Sequence, residues 1–460
     1  MNLSAIQKMN GPATVDDYAY PQTVALEPEA VTRPSEPQPT TRRGRGAEFY
    51  KPFHYLLLVY LFFYCSRVQE MIPNMHTGLL LQPILILGMF MTGTTKSIFR
   101  SDIGRIMAAF TLWVAICIPF SVWKGGSYDQ FSIALQSLGL LFFMLAFIRT
   151  TDDCFRAILA IAFAMAVVGV LSLLIGGGRE GSNRLGLGTG NDTLSDANFL
   201  ALYLIVGIPF LWFAASMRRG FMKVVLIGLL VPVLVGAAKT GSRSALLAMG
   251  VGIVFFFIFA NGRQRALMLI GGTVVLVCAA FLLPQKILER FTTYFQAQSA
   301  ASEEAAVSAA ERKMLLTRSL QLTLEHPLFG VGPGEFMDAE AKEAMSEGKQ
   351  GVWHYTHNSY TELSSECGLT GFFLYVFAFY RSYKGLTPLR NRYPSPIVRR
   401  AALFLQMSVL MSAVGAFFLS IAYGGLLYAM LGLSAAMQLA AAREQRETRA
   451  LKEPAQVAVA

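Results

Sequence analysis

Charge is scarce in this chain. Only 15% of its 460 residues are Asp, Glu, Lys or Arg. A soluble domain carries about a quarter, so a single water-soluble globule is excluded. Cysteine is scarce as well. Cys65, Cys117, Cys154, Cys278 and Cys367 are scattered, odd in number and without a CxxC pair, which removes a disulfide framework. Asp and Glu are missing from the interiors of the apolar stretches. Ion- or proton-coupled carriers usually need such carboxylates near the midplane, so a pump or symporter is disfavoured, while an uncoupled carrier stays open. There is also no internal repeat of the transporter kind. What abounds is apolar: 54% of residues are hydrophobic. The formal charge of +10 would by itself point to nucleic acid, but a chain this poor in charge is not built for that, and no nucleic-acid partner is expected.

Residues 1–50 differ from the rest. They hold Pro12, Pro21, Pro28, Pro34, Pro37 and Pro39, many acids and a basic cluster at Arg42, Arg43 and Arg45, without an apolar run. This composition reads as a disordered cytoplasmic tail, neither signal peptide nor core. Apolar stretches follow near 53–72, 77–95, 103–122, 131–149, 155–175, 197–216, 221–238, 243–260, 264–284, 369–383, 399–420 and 423–441. Most have the length needed to cross a ~30 Å hydrocarbon layer as helices. The fold class is therefore all-α integral membrane with about twelve spans, both termini on one side. Spans one to nine occupy 51–284, a long outer segment covers 285–368, spans ten to twelve fill 369–443, and 444–460 is a second cytoplasmic tail. With the tails inside, the inner side holds 26 of the 39 basic residues against 12 acids, and the outer side holds 12 basic against 16 acidic residues. That asymmetry satisfies the positive-inside rule.

Polar, Gly-rich and His-containing segments gather on the outer side. One runs from Ser182 to Asp192 around Arg184, another is Lys239-Thr240-Gly241-Ser242-Arg243-Ser244, and the long segment contributes Glu311-Arg312-Lys313, Glu325-His326-Pro327 and His354 to Glu362. Each admits a plain reading. Arg243 at a helix start can snorkel to lipid phosphates, Arg184 can be a solvated loop charge, and Arg312 can be a surface residue of an amphipathic helix. His326 suits a helix C-terminus, and His357 precedes the good N-cap residues Asn358 and Ser359. The glycine runs at 186–190 and 330–334 resemble nucleotide loops only superficially, since neither follows a strand in a βαβ unit. Asn191-Asp192-Thr193 matches a glycosylation sequon. His354 and His357 lie three apart in an irregular stretch with no HExxH or cysteine partners, so no metal is expected. The alternative reading makes one site of these residues. Arginines fork onto phosphate oxygens, and a near-neutral histidine can take the proton of an attacking hydroxyl.

Three segments together carry a family resemblance: Thr240-Gly241-Ser242-Arg243-Ser244-Ala245-Leu246-Leu247; Arg312 followed by His326-Pro327-Leu328-Phe329-Gly330-Val331-Gly332-Pro333-Gly334-Glu335-Phe336; and His357-Asn358-Ser359-Tyr360 continuing to Glu366-Cys367-Gly368-Leu369-Thr370-Gly371. Over roughly 180–375, with a looser match around Arg184, the chain resembles the bacterial O-antigen ligase and O-antigen polymerase superfamily, with its exopolysaccharide polymerases. The resemblance implies a GT-C-like, inverting glycosyltransferase of the bacterial inner membrane, needing neither metal nor cofactor and active on the periplasmic face. Its donor would be a glycan on undecaprenyl diphosphate. Its acceptor would be a growing glycan in a polymerase or lipid A–core in a ligase, and no sequence feature separates the two. By the match His357 would be the general base, Arg243 and Arg312 would hold the diphosphate, and Arg184 would be a third ligand. A lipid-linked glycan flippase without catalysis, and an accessory subunit docking other polysaccharide export proteins, are the readings from other classes.

Overall fold

The computed structural model of the chain describes residues 49–72, 75, 77–177, 184–188, 193–282, 300–346, 348 and 353–457. The tail expected at 1–50, apart from its last two residues, lies outside them, as do Asn191 and Asp192 of the sequon and the beginning of the long outer segment. Among the described residues the structure is helical throughout, with one isolated antiparallel bridge between Gly177 and Gly186.

The helices are α1 (Lys51–Ser66), α2 (Thr77–Met91), α3 (Thr95–Ile98), α4 (Asp102–Cys117), α5 (Lys124–Phe147), α6 (Thr151–Leu174), α7 (Ala197–Ser216), α8 (Gly220–Gly228), α9 (Leu230–Lys239), α10 (Arg243–Phe259) and α11 (Gly262–Leu282). Then come α12 (Ala300–Glu325), α13 (Phe336–Ser346), α14 (Ser359–Glu366), α15 (Gly368–Arg392), α16 (Pro396–Gly415) and α17 (Gly425–Val457). Every apolar stretch read from the sequence is occupied by helix. Among the described residues seven segments are long and apolar enough to cross a bilayer: Asp102–Phe120, α5, α6, α7, Gly220–Lys239, α16 and Gly425–Ala450. α2 and α10 are shorter apolar helices. The chain is thus an all-helical, multi-pass membrane protein.

Local chemistry explains where helices stop. α1 ends at Ser66 because Arg67 adopts φ +53°, its N–H returning to Phe63 O as a left-handed cap. The stretch at 221–238 is broken between α8 and α9 at Leu229. Pro232, four residues beyond Gly228, has no N–H to give to that turn and its ring crowds it. α6 opens with a capping box in which Thr150 and Asp153 satisfy each other's backbone N–H groups.

The bundle pairs α17 with α5, α15 with α16 and α4, α1 and α7 with α6, and α10 and α7 with α16. One apolar core runs through these contacts, with Phe110, Phe147, Phe210, Phe213 and Tyr428 among its fully buried side chains. The outer surface is apolar too. Leu79, Leu80, Phe90, Phe221 and Val224 are each more than half exposed, which suits contact with lipid tails rather than water.

Candidate functional site

The second and third motif segments are fitted to each other through backbone. Val331 N–H donates to Ser365 O (2.8 Å), Gly332 N–H to Glu366 O (3.0 Å) and Leu369 N–H to Pro327 O (2.9 Å). Gly330 has φ +68°, and a Cβ there would lie 2.2 Å from the Glu366 carbonyl carbon. Gly368 answers it with φ +67° and a Cβ position 2.1 Å from Leu328 O. Only glycine allows so close an approach in that conformation. Glu366 closes the joint, its Oε2 accepting from Gly334 N–H (2.8 Å) and from Tyr423 OH (2.8 Å). The N–H groups that a nucleotide loop would turn towards phosphate are spent here on α14. Phe329 from the same turn stacks on Trp113 and Phe120, with centroids 5.6 Å and 4.0 Å away.

His357 sits immediately before the cap of α14. Asn358 is the N-cap, its side chain accepting from Tyr360 N–H (3.0 Å) and Thr361 N–H (3.4 Å). Both flanks are fixed: Thr356 Oγ1 meets Ser420 Oγ at 2.8 Å, and Ser359 N–H donates to Ala416 O at 2.8 Å. Between them His357 is held at φ +52°, a left-handed conformation costing a non-glycine residue on the order of 1 kcal/mol. The ring is half-buried. Burial lowers its pKa below the ordinary 6.5, and the Arg312 charge lowers it further, with Asp196 and Glu311 pulling the other way and His354 adding a small lowering. The imidazole is therefore neutral at neutral pH, with one nitrogen free to accept a proton.

The arginines come from three elements. Arg312 lies half-buried on α12, which packs on α14 through Thr323 Oγ1 and Ser364 Oγ (2.8 Å) and is tied to α13 by Arg318 and Glu343 (2.7 Å). Arg243 is the first residue of α10, behind the Ser242 cap, and is half-buried. Arg184 is not a solvated loop charge. Its Nε donates to Thr240 O (2.9 Å) and its guanidinium to Asn198 Oδ1 (2.6 Å), pinning the loop to the α9–α10 turn that carries Arg243. His357 and Arg312 are thus brought within electrostatic reach of each other, and Arg184 is joined to the turn before Arg243. Asp196 links the two groups, because it caps α7 two residues from Asn198 and its charge also reaches His357. His326 is exposed at the end of α12, where its carbonyl accepts from Gly330 N–H (3.0 Å).

Sequence reasoning gave no role to several groups here. Asp196 is the N-cap of α7, and its charge acts on His357. His354 is bonded to Glu311, one residue before Arg312. Three acids of the second and third motif segments are buried: Glu335, Glu362 and Glu366. Burial, with help from Asp338, pushes the Glu335 carboxyl up to about 7. Burial likewise raises Glu362 and Glu366, and the charge of Glu366 adds to the rise at Glu362. The pair does not hold two full negative charges at neutral pH.

The described residues therefore hold a neutral imidazole within electrostatic reach of Arg312, with Arg243 at the N-terminus of α10 and Arg184 bonded to Asn198 near the N-terminus of α7. Positive helix ends of this kind favour anions. No curated protein matches the chain. Residues 230–376, which hold Arg243, Arg312 and His357, match the family model described as O-Antigen ligase. Over that segment, about a third of its length, the chain is similar to the O-antigen ligase family.

Proposed function

We propose that this protein is a membrane glycosyltransferase that polymerises lipid-linked repeat units at the periplasmic face of the bacterial inner membrane. The observation that carries the reading is His357, neutral in a left-handed conformation within electrostatic reach of Arg312, in a segment matching the O-antigen ligase family. The donor is a glycan on undecaprenyl diphosphate, oriented by about twelve spans with both termini in the cytoplasm.

In the proposed reaction a sugar hydroxyl of the acceptor attacks the anomeric carbon of the donor. A new glycosidic C–O bond forms as the bond to the diphosphate breaks, and attack from the opposite face inverts the centre. The hydroxyl proton passes to the His357 imidazole, which acts as general base. The departing diphosphate takes the bonding electron pair, and Arg243 and Arg312 neutralise that growing charge, with Arg184 supporting the turn before Arg243. These cations supply the charge neutralisation, so the step as written needs no metal or cofactor.

The test is direct. The purified protein is given undecaprenyl-diphosphate oligosaccharide with and without lipid A–core. Lengthening of the lipid-linked chain supports polymerisation. Transfer onto lipid A–core alone identifies a ligase instead. Movement of the lipid across proteoliposomes without any new linkage replaces both with a carrier.

A further inference from the structure

The end of the bundle remote from this site carries a second group of cations. α5 starts next to the glycine turn, where Val122 N–H donates to Val331 O (2.9 Å), and runs for 24 residues, about 36 Å, to Phe147. Three elements meet at its far end. α3 is anchored there by Ser97 Oγ donating to Leu145 O (3.0 Å). The α5–α6 turn follows, and α17 is clamped to it by Glu444, whose carboxylate accepts from Thr151 N–H (2.8 Å) and Tyr393 OH (3.0 Å). These bonds gather Arg100, just past α3, Arg149 in the turn and Arg443 beside Glu444. The charges of Arg149 and Arg100 both bear on Arg443.

Of the acids nearby, Asp153 and Glu444 are already engaged. Asp153 accepts from Tyr50 OH (2.9 Å) and the Arg149 and Thr150 N–H groups (3.3 and 3.1 Å), and it faces His54 and Arg156. Glu444 is used by Thr151 and Tyr393, and the exposed Glu447 also acts on Arg443. Nη1 of Arg443 is buried and has no hydrogen-bond partner among the described residues. A buried guanidinium N–H without an acceptor costs free energy that a bound anion recovers. Next to Arg100, Phe99 is 62% exposed, so the cations border apolar surface.

We propose that Arg100, Arg149 and Arg443 bind the phosphate of an anionic phospholipid headgroup, its acyl chains lying against the apolar flank at Phe99. The reading is independent of the transfer chemistry at the other end. Each arginine near a charged lipid surface is worth ~1 kcal/mol, roughly fivefold in affinity.

The experiment uses the full chain purified in a neutral detergent, with phosphatidylglycerol, phosphatidylcholine or inorganic phosphate added. Native mass spectrometry counts retained lipid, and thermal unfolding reads stabilisation. Retention of phosphatidylglycerol over phosphatidylcholine, with roughly fivefold weaker binding in Arg443→Gln and in the surface variant Arg100→Gln, is the expected result. Arg263→Gln, remote in sequence from all three, should bind as the parent does. Equal binding of both lipids, or unchanged binding in Arg100→Gln and Arg443→Gln, overturns the site. Stabilisation by inorganic phosphate without preference for the charged lipid overturns the lipid and identifies a soluble anion. Should Arg443→Gln fail to fold, Arg100→Gln and Arg443→Lys decide alone, the latter retaining charge and most of the binding.

Discussion

The glycine turn at 330–336 and the loop at 354–358 lie at the same end of the bundle and do opposite things with their backbone. The turn looks more like a ligand loop, with three glycines at positive φ, yet its N–H groups are consumed by α14 and Glu366. The loop has no glycine at all, and it is there that a histidine is forced into the left-handed region. Glycine makes a strained conformation free, so it marks close packing. A residue that must tolerate the strain is kept for its side chain.

The sharpest break between the two regions is His357→Ala. Transfer should fall by roughly 10²–10⁴-fold in an assay with lipid-linked oligosaccharide, as expected for loss of a general base, with thermal unfolding little changed. A variant that transfers normally would remove the histidine from the reaction. Gly330→Ala should behave in the reverse order. Its Cβ collides with the Glu366 carbonyl, so unfolding in detergent should show a loss of about 1–3 kcal/mol, with activity falling only as folded protein is lost. Arg312→Lys comes next. It keeps the charge and loses the fork, so transfer should drop about tenfold with the same pH profile.

Two smaller effects concern protons. In the proposed reaction the neutral imidazole is the active form, so the acid limb of the rate should lie below pH 6.5, the ordinary value that burial and Arg312 depress. Arg312→Gln should move that limb upward and Asp196→Asn should move it downward, because Asp196 raises the histidine pKa. Movement of both in one direction would contradict the charge arrangement. Glu366 has its folded pKa raised above the unfolded value. Its protonated form therefore adds stability that is present below the unfolded pKa and is lost as pH rises through the folded one. The unfolding temperature should fall towards and past neutral pH, and Glu366→Gln should flatten that fall.

Apolar runs were legible because lipid demands long uninterrupted helices, and helix occupies each of them. Their ends were less so. Arg67 ends α1 through a left-handed cap, where the stretch had been expected to reach residue 72, and hydropathy says nothing about φ. α17 continues to Val457, through a stretch whose charges made it read as tail. At the site, Arg312 and His357 stood out as residue types and come within electrostatic reach of each other. Asp196, Glu362 and Glu366 did not stand out, because what gives them meaning lies far along the chain: His357 for Asp196, Ala422 for Glu362, and Gly334 and Tyr423 for Glu366.

The Gly330–Gly368 joint has a mechanical consequence. Gly368 begins α15, a 25-residue helix whose first half is the apolar stretch expected as the tenth span, and α14 with its histidine begins only nine residues earlier. With Leu369 bonded to Pro327 and Gly332 to Glu366, α15, α14 and the end of α12 form one lever with no slack. A push that displaces the start of α15 is passed to α14, to the loop that holds His357 and to the end of α12, so these elements shift together.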